Sequence, residues 1–215
     1  MCIVHRSVWH AAIRYAKRDS PTYEIRRIFV GRFFAIFSIL VVLSGCAKAN
    51  DKVANILAFR EELLSAEQCT FQAIITADYG KQLYNFSVDC STDKEGNVLF
   101  SVSSPETIAG ITGRINGHGG QLIFDDAVLA FPLLAEGLLS PISAPWVFMN
   151  ALRSGYIVSC GNQEDGIRLT LNDTYAENAL RVDVSMNENC MPYFAEIYWK
   201  NARVLSFVIE NFRYM

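Results

Sequence analysis

The chain reads as mainly β with a minor helical part (α+β): one antiparallel sheet of about nine to eleven strands with helices lying on one face. Three observations predict this. Ten short segments alternate apolar and polar side chains or run apolar over strand length. Turn residues separate most of them at short intervals. Two stretches break the pattern, one ahead of the first strand and one in the middle of the body.

The first break carries a helix signal. Asn50-Asp51 offers an N-cap, and Val53, Ile56, Leu57, Leu63 and Leu64 fall on one helical face with Arg60 as its charge. Thr70–Asp78 and Lys81–Cys90 then flank Tyr79-Gly80, a two-residue hairpin loop. In that register Ile75 faces Tyr84, Ala73 faces Phe86, Phe71 faces Val88 and Cys69 faces Cys90, so apolar meets apolar on one face. Asn97–Ser103 returns with Val98, Phe100 and Val102 on one side. Ile111–Gly117 and Gly120–Asp125 form a hairpin around His118-Gly119, pairing Ile115 with Leu122. Tyr156–Cys160, Ile167–Leu171, Leu180–Met186, Tyr193–Trp199 and Val204–Phe212 follow, the last two joined at Asn201-Ala202. The middle break, from Val128 to Arg153, is rich in leucine and interrupted by Pro132, Gly137 and Pro141. In it Ser143 and Pro145 start a short helix that Ser154-Gly155 stops. No repeat or second-domain boundary interrupts residues 46–215.

Charge divides the chain elsewhere. Residues 1–45 hold seven Lys/Arg against Asp19 and Glu24, net +5, and the remainder is net −8. An acidic body argues against nucleic acid as partner, since phosphate binding needs clustered cations. Between head and body runs Phe33–Leu43, too short for a membrane span of about 20 residues and fitting a signal-peptide core. Leu43-Ser44-Gly45-Cys46 follows it and resembles the lipobox of bacterial lipoproteins. That resemblance implies a basic extension plus a cleaved signal peptide over 1–45, a mature domain over 46–215, and a membrane lipid on Cys46. The expected location is the extracytoplasmic face of the cell membrane.

Four cysteines remain in the exported body, an oxidising context. The hairpin register predicts a Cys69–Cys90 disulfide. Cys160 and Cys190 pair only by elimination, with two strands between them, so that bridge stays open. Catalysis finds little footing. His118, the one histidine after residue 46, sits in a Gly-flanked hairpin tip and reads as a turn residue. Asp125-Asp126 reads as a strand-end turn or helix cap. No nucleophile motif, phosphate loop or metal spacing occurs, so neither enzyme activity nor a cofactor is expected.

A lipobox, a first helix, a long antiparallel meander, an inserted helical stretch and further strands together resemble the lipoprotein-localisation fold, which includes the LolA and LolB carriers and the germination lipoprotein GerS. Pro105–Asp126 leading into the Leu/Pro-rich stretch is its most suggestive piece. The resemblance implies a curved, half-open barrel covered on its concave face by helices. The early-strand arginine of the soluble carrier has no match here, where Lys81 stands at a turn and Arg114 on a later strand, so the anchored LolB is the nearer analogue. Phe71, Phe86, Val88 and Phe100 are expected to line the concavity. Leu133, Leu134, Leu138, Leu139, Trp146 and Met149 are expected to cover it. An acyl chain or lipopeptide is the expected ligand, bound without turnover; the alternative is a surface lipoprotein that docks a protein partner. Replacing Cys46 with Ser should abolish incorporation of a labelled fatty acid; equal label in both proteins would remove the anchor.

Overall fold

A computed structural model describes residues 47–80, 82–135, 138–176 and 179–215, without the side chains of 47–51, 134, 135 and 138. The proposed signal peptide and Cys46 lie outside these residues. Two compact units divide the chain, Met1–Ala49 and Asn50–Met215, and the second holds the strands of the described residues.

Helix α1 (Ala47–Ser65) leads into β1 (Cys69–Asp78), β2 (Leu83–Thr92), β3 (Val98–Ser104), β4 (Thr112–Asn116), β5 (Gly119–Phe124) and β6 (Ala127–Phe131). A small ribbon, β7 (Leu134–Ala135) with β8 (Leu138–Leu139), and a 3-10 turn (Pro141–Ser143) precede α2 (Ala144–Ser154). Then come β9 (Tyr156–Gln163), β10 (Gly166–Asn172), β11 (Arg181–Met186), β12 (Pro192–Trp199) and β13 (Ala202–Tyr214). Eleven strands form one antiparallel sheet in the order β6-β5-β4-β3-β2-β1-β13-β12-β11-β10-β9, with β6 and β9 at its open edges. The mainly β fold with helices on one face is what the sequence predicts.

The sheet must curve. Helix α2 is about 16 Å long at ~1.5 Å per residue and 10–12 Å wide. Its Trp146 ring lies 3.6 Å from where a Cβ on Gly117 would stand, at the tip of β4, and the helix also packs on β10. Seven strand steps separate β4 from β10, roughly 34 Å across a flat sheet at ~4.8 Å per step. One short helix reaches both only because the strands wrap round it.

Alternation decides which side chains meet it. Phe71, Ala73, Ile75 and Ala77 of β1 are buried, as are Val98, Phe100 and Val102 of β3 and Val182, Val184 and Met186 of β11. Phe148 of α2 is fully buried, edge-on to Phe71 at 5.7 Å and to Phe207 at 5.4 Å. Helix α1 buries Ile56, Phe59 and Leu63, while Val53, Leu57 and Leu64 are exposed. The buried face is thus rotated from the expected one, because Phe59 packs against Phe212 and Tyr214. The Arg60 guanidinium donates to the Leu152 carbonyl at 2.7 Å, so a cation satisfies the last turn of α2 and ties the helices together.

Three hairpin registers differ from expectation. Ile75 faces Phe86, Phe71 faces Cys90 and Cys69 faces Thr92, a slip of two residues, because the β1–β2 loop spans 79–82 rather than Tyr79-Gly80. Cys69 and Cys90 are therefore not opposite each other, and both are free thiols. Ile115 faces Gly120 and not Leu122, since the Asn116 side chain accepts the His118 N–H and sets the turn at Gly117-His118. The last hairpin turns at Lys200-Asn201, both with positive φ. Removing the Phe148 ring (Phe148→Ala) should cost about 3–5 kcal/mol in urea unfolding; a loss under about 1 kcal/mol would mean that α2 does not organise the core.

Candidate functional site

One rim of the sheet gathers the 79–82, 105–111, 125–126 and 200–201 connections, since antiparallel strands return to the same end. An apolar cavity of about 450 Å³ opens at this rim. Tyr84 and Phe86 of β2, Val102 of β3 and Leu122 of β5 form its wall. Ile108 and Ile111 close it from the β3–β4 connection, and Pro141 and Ile142 cover it ahead of α2. Each wall residue has the inward parity of its strand, which is why the cavity continues the core's apolar surface.

Tyr79 ties wall to cover. Its phenol donates to the carbonyl of Leu139, and its ring lies edge-on to Tyr84 at 6.2 Å. Burial first, and then the neighbouring Tyr84, push its pKa up, which keeps the donor proton in place. Tyr84 in turn donates to Gln82 at 2.5 Å. Among the described residues that line this cavity, Ser140 is the only polar side chain besides the two phenols. Such a lining can hold a hydrocarbon.

The expected ligand residues divide. Phe86 lines the cavity. Phe71, Val88, Phe100, Leu139 and Met149 are buried in the core below it, at 5% exposure or less. Leu133 and Trp146 are half-buried against that core, and the side chains of Leu134 and Leu138 lie outside the described residues. Unforeseen are Tyr79, Tyr84, Val102, Ile108, Ile111, Leu122, Pro141 and Ile142. The register carried the missing signal: moving the β1–β2 pairing by two residues puts Phe71 beside the floor and leaves Tyr84 and Phe86 at the rim.

The cysteines are structural by environment. Burial pushes the Cys69 thiol up to about 12, against a smaller opposing pull from Arg153, and burial raises Cys90 further. Both are neutral thiols at any ordinary pH. Cys160, half-buried on β9, and Cys190, in the β11–β12 turn, are raised by burial, Cys190 also by Cys160 nearby. On the outer face, Arg168 bonds Asp183 at 2.8 Å and Glu196 at 3.2 Å, and Arg203 bonds Glu196 at 2.9 Å. This network pairs the carboxylates across β10–β13. Among the described residues no three His, Cys, Asp or Glu side chains converge as metal ligands, and no helix is long and apolar enough to cross a membrane.

Neither a family model nor a curated protein matches the chain. It is similar to solved structures at low identity. An outer membrane lipoprotein-sorting protein domain from Vibrio parahaemolyticus is 10% identical over 74% of this chain and 91% of its own, with a TM-score of 0.45. A LolA superfamily protein from Nitrosomonas europaea is 10% identical over 75% and 92%, at 0.41. The complex of the CwlD amidase with the GerS lipoprotein from Clostridioides difficile matches at 15% identity over 77% and 96%, at 0.33. The fold and the cavity rest on the strand order and burial described above.

In reduced, folded protein, iodoacetamide should label Cys160 well before Cys69 or Cys90, which should need denaturant. Equal labelling of all three without denaturant would contradict the burial.

Proposed function

We propose that this protein is an extracytoplasmic lipoprotein, anchored through Cys46, that holds an acyl chain or lipopeptide tail in the rim cavity without catalysing a reaction. The observation that carries the reading is the cavity itself: about 450 Å³, walled almost wholly by aliphatic and aromatic side chains and placed at one open end of the sheet. Its volume lies within the range of pockets that bury small ligands. Supporting it, Phe124 and Leu129 share the inward parity of Leu122 on β5 and β6 and are exposed, so apolar surface continues from the chamber toward the open edge. The lipobox and the acidic body support an extracytoplasmic location. Each methylene buried contributes about 0.8 kcal/mol, so a chain of ~10 gains on the order of 8 kcal/mol before its ordering cost. A short chain gains too little to displace water and order itself.

The test fills the chamber. Ile111 is half-buried in the β3–β4 connection at the edge of the chamber, where a larger ring can point into the open volume at modest cost. Protein extracted from membranes should carry lipid in native mass spectrometry, and Ile111→Trp should lose most of it with little change in thermal midpoint. Undiminished lipid in Ile111→Trp, or none in the unaltered protein, would sink the reading.

A further inference from the structure

We infer that two copies of this chain join edge to edge through β6, making one continuous sheet across a two-fold axis at Leu129.

Strand β6 is an edge: it pairs with β5 on one side, and among the described residues nothing pairs with the other. Edges of this kind are ordinarily blunted by charge, proline or a bulge. Here none is present. The sequence Ala127-Val128-Leu129-Ala130-Phe131 is uncharged, its pairing with β5 runs without a register shift, and Val128 and Leu129 are 62% and 64% exposed on opposite faces. The other edge, β9, carries a register shift against β10 and ends in Gly161-Asn162-Gln163.

The turn before β6 shows which backbone groups are free. Asp125 and Asp126 have φ of 48° and 66°, a two-residue turn of the primed type, with Phe124 opposite Ala127. That closing pair is hydrogen-bonded, so alternate residues point outward: Val128 and Ala130 present their N–H and C=O groups to the open side.

A second copy fits this edge in antiparallel register. With Leu129 on the axis, Leu129 meets Leu129 of the second copy, Val128 meets Ala130, and Ala127 meets Phe131. Every large side chain off the axis then faces a small one, and Val128 and Ala130 exchange four backbone hydrogen bonds with their counterparts. Charge also matches. An outer-face depression of about 590 Å³ lies beside the far end of β6, lined by Arg114, His118, Gln121, Ala130 and Pro132 among others. Antiparallel pairing sets the Asp125-Asp126 turn of one copy opposite Pro132 of the other, three strand steps (~14 Å) from the strand that bears Arg114, within reach of attraction at low salt, twice over. A closed two-fold contact of this type uses one patch on both partners and stops at the dimer.

The test uses the full chain in its membrane. Leu129→Cys places two thiols across the axis at cross-strand spacing, so a mild copper-phenanthroline oxidation should yield a covalent dimer on non-reducing gels. Neither the unaltered chain nor Val158→Cys, equally exposed on the other edge, should give it. Adding Ala130→Pro removes an outward N–H and should abolish the dimer. Asp125→Asn with Asp126→Asn keeps residues that accept positive φ and should slow cross-linking about threefold at low salt. Absence of the Leu129→Cys dimer, or equal dimer from Val158→Cys, overturns the proposal. So does a Leu129→Cys dimer indifferent to both further changes. Lipid occupancy in the cavity is read separately, so either proposal can fail alone.

Discussion

A single ring, that of Phe148, stands where the sheet's curvature and its need for a core coincide. It is packed edge-on against Phe71 from β1 and Phe207 from β13, and Phe212 lies within 6.3 Å. These two strands lie at the middle of the eleven-strand order. An open sheet cannot bury its own face, and this one does so by folding round a helix only eleven residues long. Burying the ring contributes about 1.5–3 kcal/mol, and each well-placed aromatic pair adds about 0.5–1.5. The clasp from Arg60 to Leu152 holds α1 against the same helix, so both helices depend on one contact zone.

Filling the middle of the concavity leaves its end unfilled. Helix α2 and the 3-10 turn before it supply enough side chains for the floor and centre, where Val147, Met149 and Leu152 are buried to within 4%. At the rim, strands β2 to β5 extend past the helix, and among the described residues Pro141 and Ile142 reach across from the segment ahead of it. The chamber is thus the remainder after packing, lined by residues with inward parity but no partner. The same shortfall explains the exposed apolar side chains around it, since the wall continues beyond its cover.

Side-chain parity was legible, and position along the strand was not. Val98, Phe100 and Val102 were read as one face and are buried together, because alternation shows in any one strand. A slip of two residues preserves parity while moving every pair about 7 Å along the strand. Turn chemistry had to decide, and it misled at Tyr79-Gly80, where the loop is four residues, and at Gly117-His118, where an asparagine side chain draws the turn one residue earlier. The disulfide expectation for Cys69 and Cys90 rested on that register. Strand β6 was absorbed into the leucine-rich stretch, for its five residues show no alternation between polar and apolar. The short helix after Ser143 was legible, because proline near a helix start and Ser-Gly at its end act locally, whatever the tertiary setting.

The tie between the Tyr79 phenol and the Leu139 carbonyl joins the β1–β2 loop to the segment ahead of α2. One neutral hydrogen bond contributes about 0.5–1.5 kcal/mol net, less than the roughly 1.5–3 kcal/mol from burying the Leu139 side chain beside it. The cover is therefore seated by packing and only oriented by the bond, so whatever loosens the core under Leu139 loosens the chamber with it.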